Sequence, residues 1–380
     1  MSRLASGGLI DRARPVAVAF DGRALEAREG DTLASALVAS GVRVVGRSFK
    51  YHRPRGIVAA GSEEPNALVT VGTGADRTPN LRATELPVFD GLAAASQNAW
   101  PSLRFDALEV NDLLWPVLGA GFYYKTFMWP ARSWERVYEP AIRRAAGLGA
   151  LSGRADPDRS EKAFAFCDLL VIGAGPAGLM AALVAGRAGA RVILADEDFR
   201  MGGRLLAERG AVGGVAAADW AAATVEALAA LPNVRLMPRT TVIGAYDGGT
   251  FGAWERVVPP GAPRDPDLPR DAFWRIAARR AVLASGAHER LIAFPGNDRP
   301  GVMLAGAVRA YLNRWAAAPG RRVAVFSADG EGWRTLHDLA AAGIEAAAAI
   351  AAPGAPPPPE GPWRRFLDAG VTATRGRAGL

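Results

Sequence analysis

Apolar residues near the start of the chain follow the two-residue period of a β-hairpin. Alternating apolar residues fill Pro15–Phe20, the pair Asp21-Gly22 is typical of a tight turn, and a further short strand follows. The segment Asp31–Gly41 then shows the spacing of an amphipathic helix. Asp31 is its expected N-cap, and Gly41 is expected to end it.

Two later segments complete a small unit at the start of the chain. Val58 and Ala67–Val71 are further strand candidates. A hairpin, a helix, a loop and later strands together indicate a ubiquitin-like or ferredoxin-like β-grasp unit. We expect it to span residues 1–90.

Residues 91–162 follow no regular period and are rich in aromatic side chains between prolines. This pattern indicates an irregular, partly helical connection whose aromatics pack between domains or subunits; stacking on a base or a flavin is the alternative. The charged stretch Gly153–Lys162 is typical of a linker. The aromatic residues are Trp100, Trp115, Phe122, Tyr123, Tyr124, Phe127, Trp129 and Trp134.

From residue 163 onward, strands alternate with helices. A buried strand at Ala163–Ile172 leads into an Ala-rich helix at Pro176–Gly189, and a second strand follows at Arg191–Ala195. Such a βαβ unit predicts an α/β fold with a parallel sheet, here over residues 163–380. Later strands are expected at Val234–Met237, Arg280–Ala284 and Arg322–Ser327.

A glycine-rich turn joins the first of these strands to its helix. In the spacing GxGxxG, the first glycine permits the turn, the second lets a pyrophosphate approach the backbone, and the third lets the helix pack on the sheet. The helix N-terminus adds free N–H groups and the positive end of a dipole. This predicts a Rossmann-like FAD/NAD(P)-binding domain, with a merely structural turn as the alternative. The turn comprises Gly173, Ala174, Gly175, Pro176, Ala177 and Gly178.

Acidic residues follow the second strand, where this class of domain holds the adenosine ribose. Asp196 is expected to accept hydrogen bonds from the ribose hydroxyls and to repel a 2′-phosphate, which favours NAD or FAD over NADP. Glu197 is a second candidate for this role, or a solvated neighbour. Gly203 and Arg204 offer close backbone approach and a guanidinium to a phosphate, unless they are ordinary surface-loop residues.

A strand that runs into a small-residue turn at Ser285 and Gly286 resembles the segment that closes over the nucleotide in two-dinucleotide-binding flavoproteins, so this turn is a further candidate part of the nucleotide site. No residue stands out as catalytic. His52, in a basic loop, could be a general base or bind a phosphate or a partner, and His288 could border the nucleotide. The catalytic residues therefore stay unassigned.

Composition excludes several classes of function. The formal charge is +7, but the arginines are scattered, so we expect no nucleic-acid partner. Cys167 is the one cysteine and there are three histidines, which excludes disulfides and leaves few donors for a metal site. No segment approaches the about 20 apolar residues of a membrane span. The first residues lack the apolar core of a secretion signal, so we expect a cytoplasmic protein without membrane contact.

Three longer strings carry a family resemblance that covers most of the chain. They are Ser48–Gly56 with Glu63–Leu68, the aromatic string Gly121–Phe127, and His288–Met303 with Ala305–Ala307. With the glycine turn, they make the chain similar to the α subunits of heterotetrameric sarcosine oxidases. The resemblance implies a complex that oxidises sarcosine to glycine, releases hydrogen peroxide and passes the one-carbon unit to tetrahydrofolate.

The resemblance also implies cofactors, partners and site residues. It implies that this subunit binds NAD without redox turnover, that FAD and FMN belong mainly to a partner subunit, and that β, γ and δ subunits are its partners. It maps the adenosine-binding acids onto Asp196 and Glu197, and the pyrophosphate turn onto Gly173, Gly175 and Gly178. A wall of the nucleotide pocket maps near Val242.

Two departures from the family pattern change what the resemblance implies for this chain. Some relatives hold a two-iron cluster through cysteines in the β-grasp loop, and the corresponding positions here are Val58, Glu63 and Asn66. We therefore expect no iron–sulfur cluster. The family chain also continues into a folate-binding, aminomethyltransferase-like domain, so this chain is expected to be truncated before it.

Three functions are consistent with these patterns. The preferred one is a non-catalytic, NAD-holding subunit of a sarcosine-oxidase-like complex. The second is a self-contained flavoprotein reductase with FAD at the glycine turn, since FAD and NAD use the same fingerprint. The third is an assembly subunit with a vestigial nucleotide site.

Overall fold

The computed structural model of the protein describes residues 2–116, 119, 121 and 129–367. The α-helices are α1 (Leu33–Ala39), α2 (Glu139–Ala145), α3 (Pro176–Arg187), α4 (Ala217–Ala229), α5 (Ala305–Asn313) and α6 (Trp333–Ala341). Short 3-10 helices lie at Gly74–Asp76, Ala107–Leu114, Ala131–Ser133, Gly203–Leu206 and Asp247–Gly249, and a π-helical turn at Trp134–Tyr138.

The first unit is a mixed sheet of five strands with α1 packed against it. The predicted hairpin is confirmed, and β1 also pairs in parallel with the last strand of the unit, so that the order is β2-β1-β7-β5-β6. Its strands are β1 (Asp11–Phe20), β2 (Arg23–Glu29), β5 (Leu68–Val71), β6 (Thr78–Arg82) and β7 (Leu92–Ser96); β3 (Gly46–Arg47) and β4 (Pro54–Arg55) form a separate short ladder. This arrangement agrees with the expected β-grasp unit.

Two local predictions in this unit are wrong. The N-cap of α1 is Thr32, whose hydroxyl accepts a hydrogen bond from the Ser35 N–H at 3.1 Å, while the Ser35 hydroxyl accepts one from the Thr32 N–H. Asp31 lies one residue earlier, where its carboxylate accepts a hydrogen bond from the Ser35 hydroxyl at 2.6 Å. Val58 is not in a strand, because its N–H bonds to the Glu64 carboxylate instead of to a neighbouring strand.

The core of this unit also includes residues from late in the chain. Leu304, Ala307, Ala310, Tyr311, Trp315 and Ala317 belong to the same buried apolar cluster as the residues of α1 and its sheet. The Tyr311 hydroxyl donates a 2.9 Å hydrogen bond to the Ala59 carbonyl. Helix α5 therefore packs on the N-terminal unit, although the sequence analysis assigned it to the domain of residues 163–380.

The connecting segment exposes three of the predicted aromatic side chains, and Trp134 is half-buried. Trp100, Trp115 and Trp129 are 64%, 63% and 84% exposed. The prediction that the aromatic residues pack between domains of this chain is therefore wrong for these three. Packing between subunits stays a prediction. The string of Phe122, Tyr123, Tyr124 and Phe127 lies outside the described residues. The expected linker Gly153–Lys162 ends earlier, because a strand begins at Ser160.

The central sheet has six strands in the order β12-β9-β8-β15-β14-β13. The first four are parallel, and the strands at its centre confirm the βαβ unit. Its strands are β8 (Ser160–Ile172), β9 (Val192–Ala195), β12 (Val234–Met237), β13 (Thr240–Tyr246), β14 (Thr250–Arg256) and β15 (Asp271–Leu283). Helices α3 and α4 cover one face, with Val171, Leu179 and Leu228 in that core.

The prediction of a parallel sheet is confirmed for these four strands and does not extend to β13 and β14. Strands β13, β14 and β15 form an antiparallel meander, and β15 is long enough to pair with β14 at its start and with β8 along its whole length. The meander covers the second face of the sheet, where Leu170 and Ile193 meet Ile276. Adjacent residues of β8 thus enter different cores, as the two-residue period of a strand requires.

A smaller parallel sheet follows. Strands β16 (Arg322–Ser327), β17 (Glu345–Ala351) and β18 (Arg364–Phe366) are its members, with α6 between the first two. The remaining strands, β10 (Ala211–Val212) and β11 (Val215–Ala216), form a hairpin before α4. The strands predicted at Val234–Met237 and Arg322–Ser327 are confirmed, and the one predicted at Arg280–Ala284 is the end of β15.

A candidate dinucleotide site at the glycine turn

The glycine turn connects β8 to α3 with the geometry that its spacing predicts. Gly173 has a φ of +99°, and a Cβ there would lie 2.5 Å from the Ala284 carbonyl oxygen. A Cβ on Gly178 would overlap the Gly173 carbonyl oxygen, whereas one on Gly175 would meet nothing within 4 Å. Gly173 and Gly178 are therefore required for the turn itself, and Gly175 leaves open space in front of it.

Helix α3 begins without a side-chain cap. Gly175 is its N-cap and Pro176 its first residue, and among the described residues no side chain caps this end of the helix. Ala177 is exposed in the same turn, while Ala174 is buried beneath it. An uncapped helix N-terminus presents N–H groups and the positive end of the helix dipole to an anion.

Asp196 lies at the end of β9, beside this turn, and its carboxylate already has two backbone partners. Oδ2 accepts a hydrogen bond from the Ala174 N–H at 2.5 Å, and Oδ1 accepts one from the Asp198 N–H at 2.9 Å. Burial raises the pKa of Asp196, and its two backbone hydrogen bonds act in the opposite direction. Asp196 therefore stabilises the glycine turn through the Ala174 N–H, and it also lies at the expected ribose position.

Glu197 is turned toward the N-terminal unit. Its Oε1 accepts a 2.7 Å hydrogen bond from the Ser62 hydroxyl. The neighbouring Glu63 carboxylate lies 3.5 Å from Nδ1 of His288. The loop around residues 61–64 thus lies against the C-terminal edge of the central sheet, next to the glycine turn.

The segment after β9 also approaches the turn. The Gly202 N–H donates a 3.0 Å hydrogen bond to the Ala174 carbonyl, and a Cβ on Gly203 would lie 2.9 Å from Cα of Gly175. The next residue, Arg204, is 63% exposed and pairs with Glu208 at 2.6 Å. The structure therefore brings Gly203 to the turn, while the Arg204 guanidinium is bound to a carboxylate, and the role of both residues toward a phosphate stays a prediction.

The remaining candidates lie at different distances from this centre. Cα of Ser285 would lie 3.0 Å from a Cβ on Gly173, so Ser285 borders the turn, and Gly286 follows with a φ of +73° and open space around it. Val242 is partly buried against the core cluster that includes Ala195. It is two residues beyond Thr240, whose N–H donates to the Asp196 carbonyl at 2.7 Å.

His52 does not take part in this site. Its side chain is 1% exposed, and Nδ1 lies 2.7 Å from the Asp106 carboxylate, so it joins a loop of the first unit to the connecting segment. It is therefore not presented to a phosphate or a partner as the sequence suggested. Two cavities of the described chain, of about 380 Å³ beside Asp158 and Arg264 and about 270 Å³ beside Ser48 and Asn66, also lie outside the turn.

Sequence reasoning missed the residues that reach this site from other elements. Ser62 gives no local signal, because its partner is 135 residues away along the chain. Arg309 gives one that could have been used: it is a charged residue within the apolar stretch Val308–Leu312, and it is buried. Buried arginines are rare unless they are paired, so such a position suggests a buried acidic partner.

The fold and the glycine turn define an oxidoreductase-type dinucleotide-binding domain with an N-terminal β-grasp unit. Residues 167–325 match the family described as pyridine nucleotide-disulphide oxidoreductase, and residues 13–99 match the family described as 2Fe-2S iron-sulfur cluster binding domain. Among solved structures, L-proline dehydrogenase from P. horikoshii has the same fold, with a TM-score of 0.59 at 22% identity over 92% of this chain and 55% of that one.

The similar curated proteins give the particular family. Sarcosine oxidase subunit alpha of Rhizobium meliloti (strain 1021) is 56% identical over 98% of this chain, and that of Corynebacterium sp. (strain U-96) is 38% identical over 89%. The chain belongs to the sarcosine oxidase subunit alpha family. It spans 38% and 31% of the length of these two relatives.

The family match corrects the expectation of a cluster-less β-grasp unit. Residues 13–99 match the family described as 2Fe-2S iron-sulfur cluster binding domain. The residues of the relevant loop do not fit a thiolate-bound cluster, because Glu64 has its carboxylate among the loop N–H groups of Val58, Ala59 and Asn66, and Cys167 lies outside the matched segment.

The helices of the described residues do not include one with the length and apolar character needed to cross a membrane.

Proposed function

We propose that this chain is the NAD-holding part of the α subunit of a sarcosine-oxidase-like complex. The observation that carries the proposal is the turn at Gly175, where an uncapped helix N-terminus faces open space. A diphosphate fits this place, because it is an anion that needs N–H donors and close backbone approach. The identity to sarcosine oxidase α subunits over nearly the whole chain supports the same assignment.

The residues of this chain bind and orient the dinucleotide. The glycine turn would hold the diphosphate, and Asp196 and Glu197 would lie toward the adenosine ribose. Two carboxylates at that end disfavour a 2′-phosphate through charge repulsion, so the proposal is for NAD rather than NADP. The bound dinucleotide can supply hydride-transfer chemistry. The chain's own contribution is to position it.

We place the oxidation of the amine outside this chain. The relatives are named sarcosine oxidases, and the family resemblance assigns amine oxidation to a partner subunit that carries the flavins. His288, two residues after Gly286, pairs with Glu63 and is largely exposed, so it is not organised as a general base. Sarcosine oxidation with peroxide release, one-carbon transfer to tetrahydrofolate and the β, γ and δ partner subunits thus form the proposed setting of this subunit.

Calorimetric titration of the purified chain with NAD, NADP and FAD tests the proposal. We expect one NAD per chain, at least tenfold weaker binding of NADP, and a colourless protein. The matched variant is Gly175→Leu, whose Cβ meets nothing within 4 Å and whose larger side chain would take the space of the diphosphate, so it should abolish NAD binding. A yellow protein that retains FAD, absorbing near about 450 nm, would instead support the flavoprotein alternative. Loss of all dinucleotide binding in the folded wild type would support a vestigial site.

A further inference from the structure

Three arginine side chains converge on one carboxylate next to the glycine turn. Glu208 lies 2.6 Å from Arg204, 3.8 Å from Arg309 and 3.7 Å from Arg334. A second acid, Glu331, lies further out, 3.6 Å from Arg204 and 3.4 Å from Arg334. The cluster therefore carries three positive and two negative charges.

The arginines come from three different elements. Arg204 follows the glycines that abut Gly175, Arg309 is on α5 and Arg334 is on α6. Arg309 is 6% exposed, and its Nε is buried without a hydrogen-bond partner among the described residues. A buried guanidinium N–H without a hydrogen-bond acceptor is energetically unfavourable, and nearby negative charge offsets this cost. The Glu208 carboxylate, shared by three arginines, does not accept a hydrogen bond from Nε of Arg309.

The cluster lies where the proposed diphosphate would be within reach of Arg204. The backbone of Gly203 touches Gly175 at the start of α3, and Arg204 is the next residue. Its guanidinium is 63% exposed, so it can leave Glu208 without any rearrangement of the core. Arg309 and Arg334 would still hold Glu208 after that movement.

We propose that the Glu208 carboxylate binds the Arg204 guanidinium until a diphosphate binds at the glycine turn and takes its place. On binding, Arg204 exchanges the Glu208 carboxylate for a diphosphate oxygen, and Arg309 and Arg334 keep Glu208 neutralised. The exchange replaces the charge-assisted contacts of Arg204 to Glu208, which include an Nε–H hydrogen bond to Oε1 at 2.9 Å, by contacts to the diphosphate, so neither the arginine nor the glutamate is left unpaired. Glu208, Arg309 and Arg334 are thus positioning residues of the site. The inference rests on the proposed function for the identity of the diphosphate.

A double-mutant cycle tests the exchange. Calorimetric titration with NAD and with inorganic pyrophosphate is carried out on the wild type, Glu208→Gln, Arg204→Gln and the double variant. We expect Glu208→Gln to bind both probes about 3- to 10-fold more tightly and Arg204→Gln to bind them about 10-fold more weakly. In the Arg204→Gln background, Glu208→Gln should have no further effect, because the competition has been removed.

Two controls separate the exchange from general effects of charge and folding. Glu331→Gln removes the same charge from the same cluster at a longer distance from Arg204, and should change affinity less than twofold. Adenosine, which has no phosphate, should bind all variants equally. Thermal unfolding of each variant identifies any that fails to fold, and Arg204→Met, which also removes the charge from this exposed position, then replaces Arg204→Gln in the cycle.

The outcomes distinguish this inference from the proposed function. NAD binding with equal effects of Glu208→Gln in both backgrounds overturns the exchange and leaves the proposed function intact. Coupling seen with pyrophosphate but no binding of NAD supports the exchange and overturns the proposed function. No binding of either probe to the wild type or to Glu208→Gln overturns both.

Discussion

The Ser62 hydroxyl donates a 2.7 Å hydrogen bond to the Glu197 carboxylate. This contact joins a loop of the β-grasp unit to the acid that follows β9, in the place where a Rossmann-like domain holds the adenosine ribose. The N-terminal unit is therefore a wall of the candidate dinucleotide site, and a ligand that needs Glu197 has to compete with Ser62.

Ser62→Ala should strengthen NAD binding by about 2- to 10-fold, because a single hydrogen bond contributes about 0.5–1.5 kcal/mol and its loss frees Glu197 for the ribose. Calorimetric titration of the purified chain measures the change. Ser6→Ala, at an exposed position of the same unit, is the matched control and should have no effect. Weaker binding in Ser62→Ala would mean that Ser62 helps to hold the ligand.

Gly178→Ala should lower the free energy of unfolding by about 1–3 kcal/mol, because its Cβ would overlap the Gly173 carbonyl oxygen in a packed turn. Urea unfolding followed by circular dichroism measures the loss. Gly175→Ala is the matched control: its Cβ meets nothing within 4 Å and its φ of −72° is ordinary, so it should stay within about 0.5 kcal/mol of the wild type. Equal stability of the two variants would contradict the turn geometry described above.

Asp168→Asn should make the protein less sensitive to acid. Hydrogen bonds from the Arg191 side chain, at 3.0 and 3.1 Å, and from its backbone N–H hold the pKa of Asp168 below its usual value. A carboxyl pKa that is lower in the folded protein contributes stability above about pH 4, the pKa of an aspartate in the unfolded chain. This stability is lost as the pH falls from there toward the pKa of Asp168 in the folded protein. Urea unfolding at pH 6 and pH 3 should therefore show a smaller drop for the variant.

Cys167 should react slowly with alkylating reagents in the folded protein. Burial raises the pKa of its thiol to about 11, with the nearby Asp168 carboxylate acting in the same direction. Only the thiolate reacts, so at pH 8 the reactive fraction is about 100-fold below that of an ordinary thiol. Mass spectrometry after iodoacetamide treatment, with and without urea, measures the difference. Similar rates in both conditions would show that Cys167 is not buried.

Local sequence was sufficient where the structure depends on a few neighbouring residues. The hairpin of β1 and β2, the β8–α3–β9 unit and the glycine turn were all predicted, because side-chain period, helix ends and backbone sterics act within a few residues. The errors near Asp31 and Val58 have one cause. In both places a carboxylate, of Asp31 or of Glu64, bonds to nearby backbone or side-chain groups and so changes the local structure.

Long-range contacts were decided by the tertiary structure. The antiparallel meander of β13–β15 was missed because strand direction depends on how the connections fold back, which the side-chain period does not encode. Packing of α5 on the β-grasp core was missed for the same reason. These contacts bring Arg309 to Glu208 and Ser62 to Glu197.

The sequence by itself thus determined that a helix N-terminus follows a turn bare of side chains, because glycine sterics fix that geometry locally. Only the tertiary structure decided which distant groups compete for the same place. A hydrogen bond across 135 residues exists because two separate cores pack against each other, and the free energy of that packing is distributed over many residues that no single motif contains.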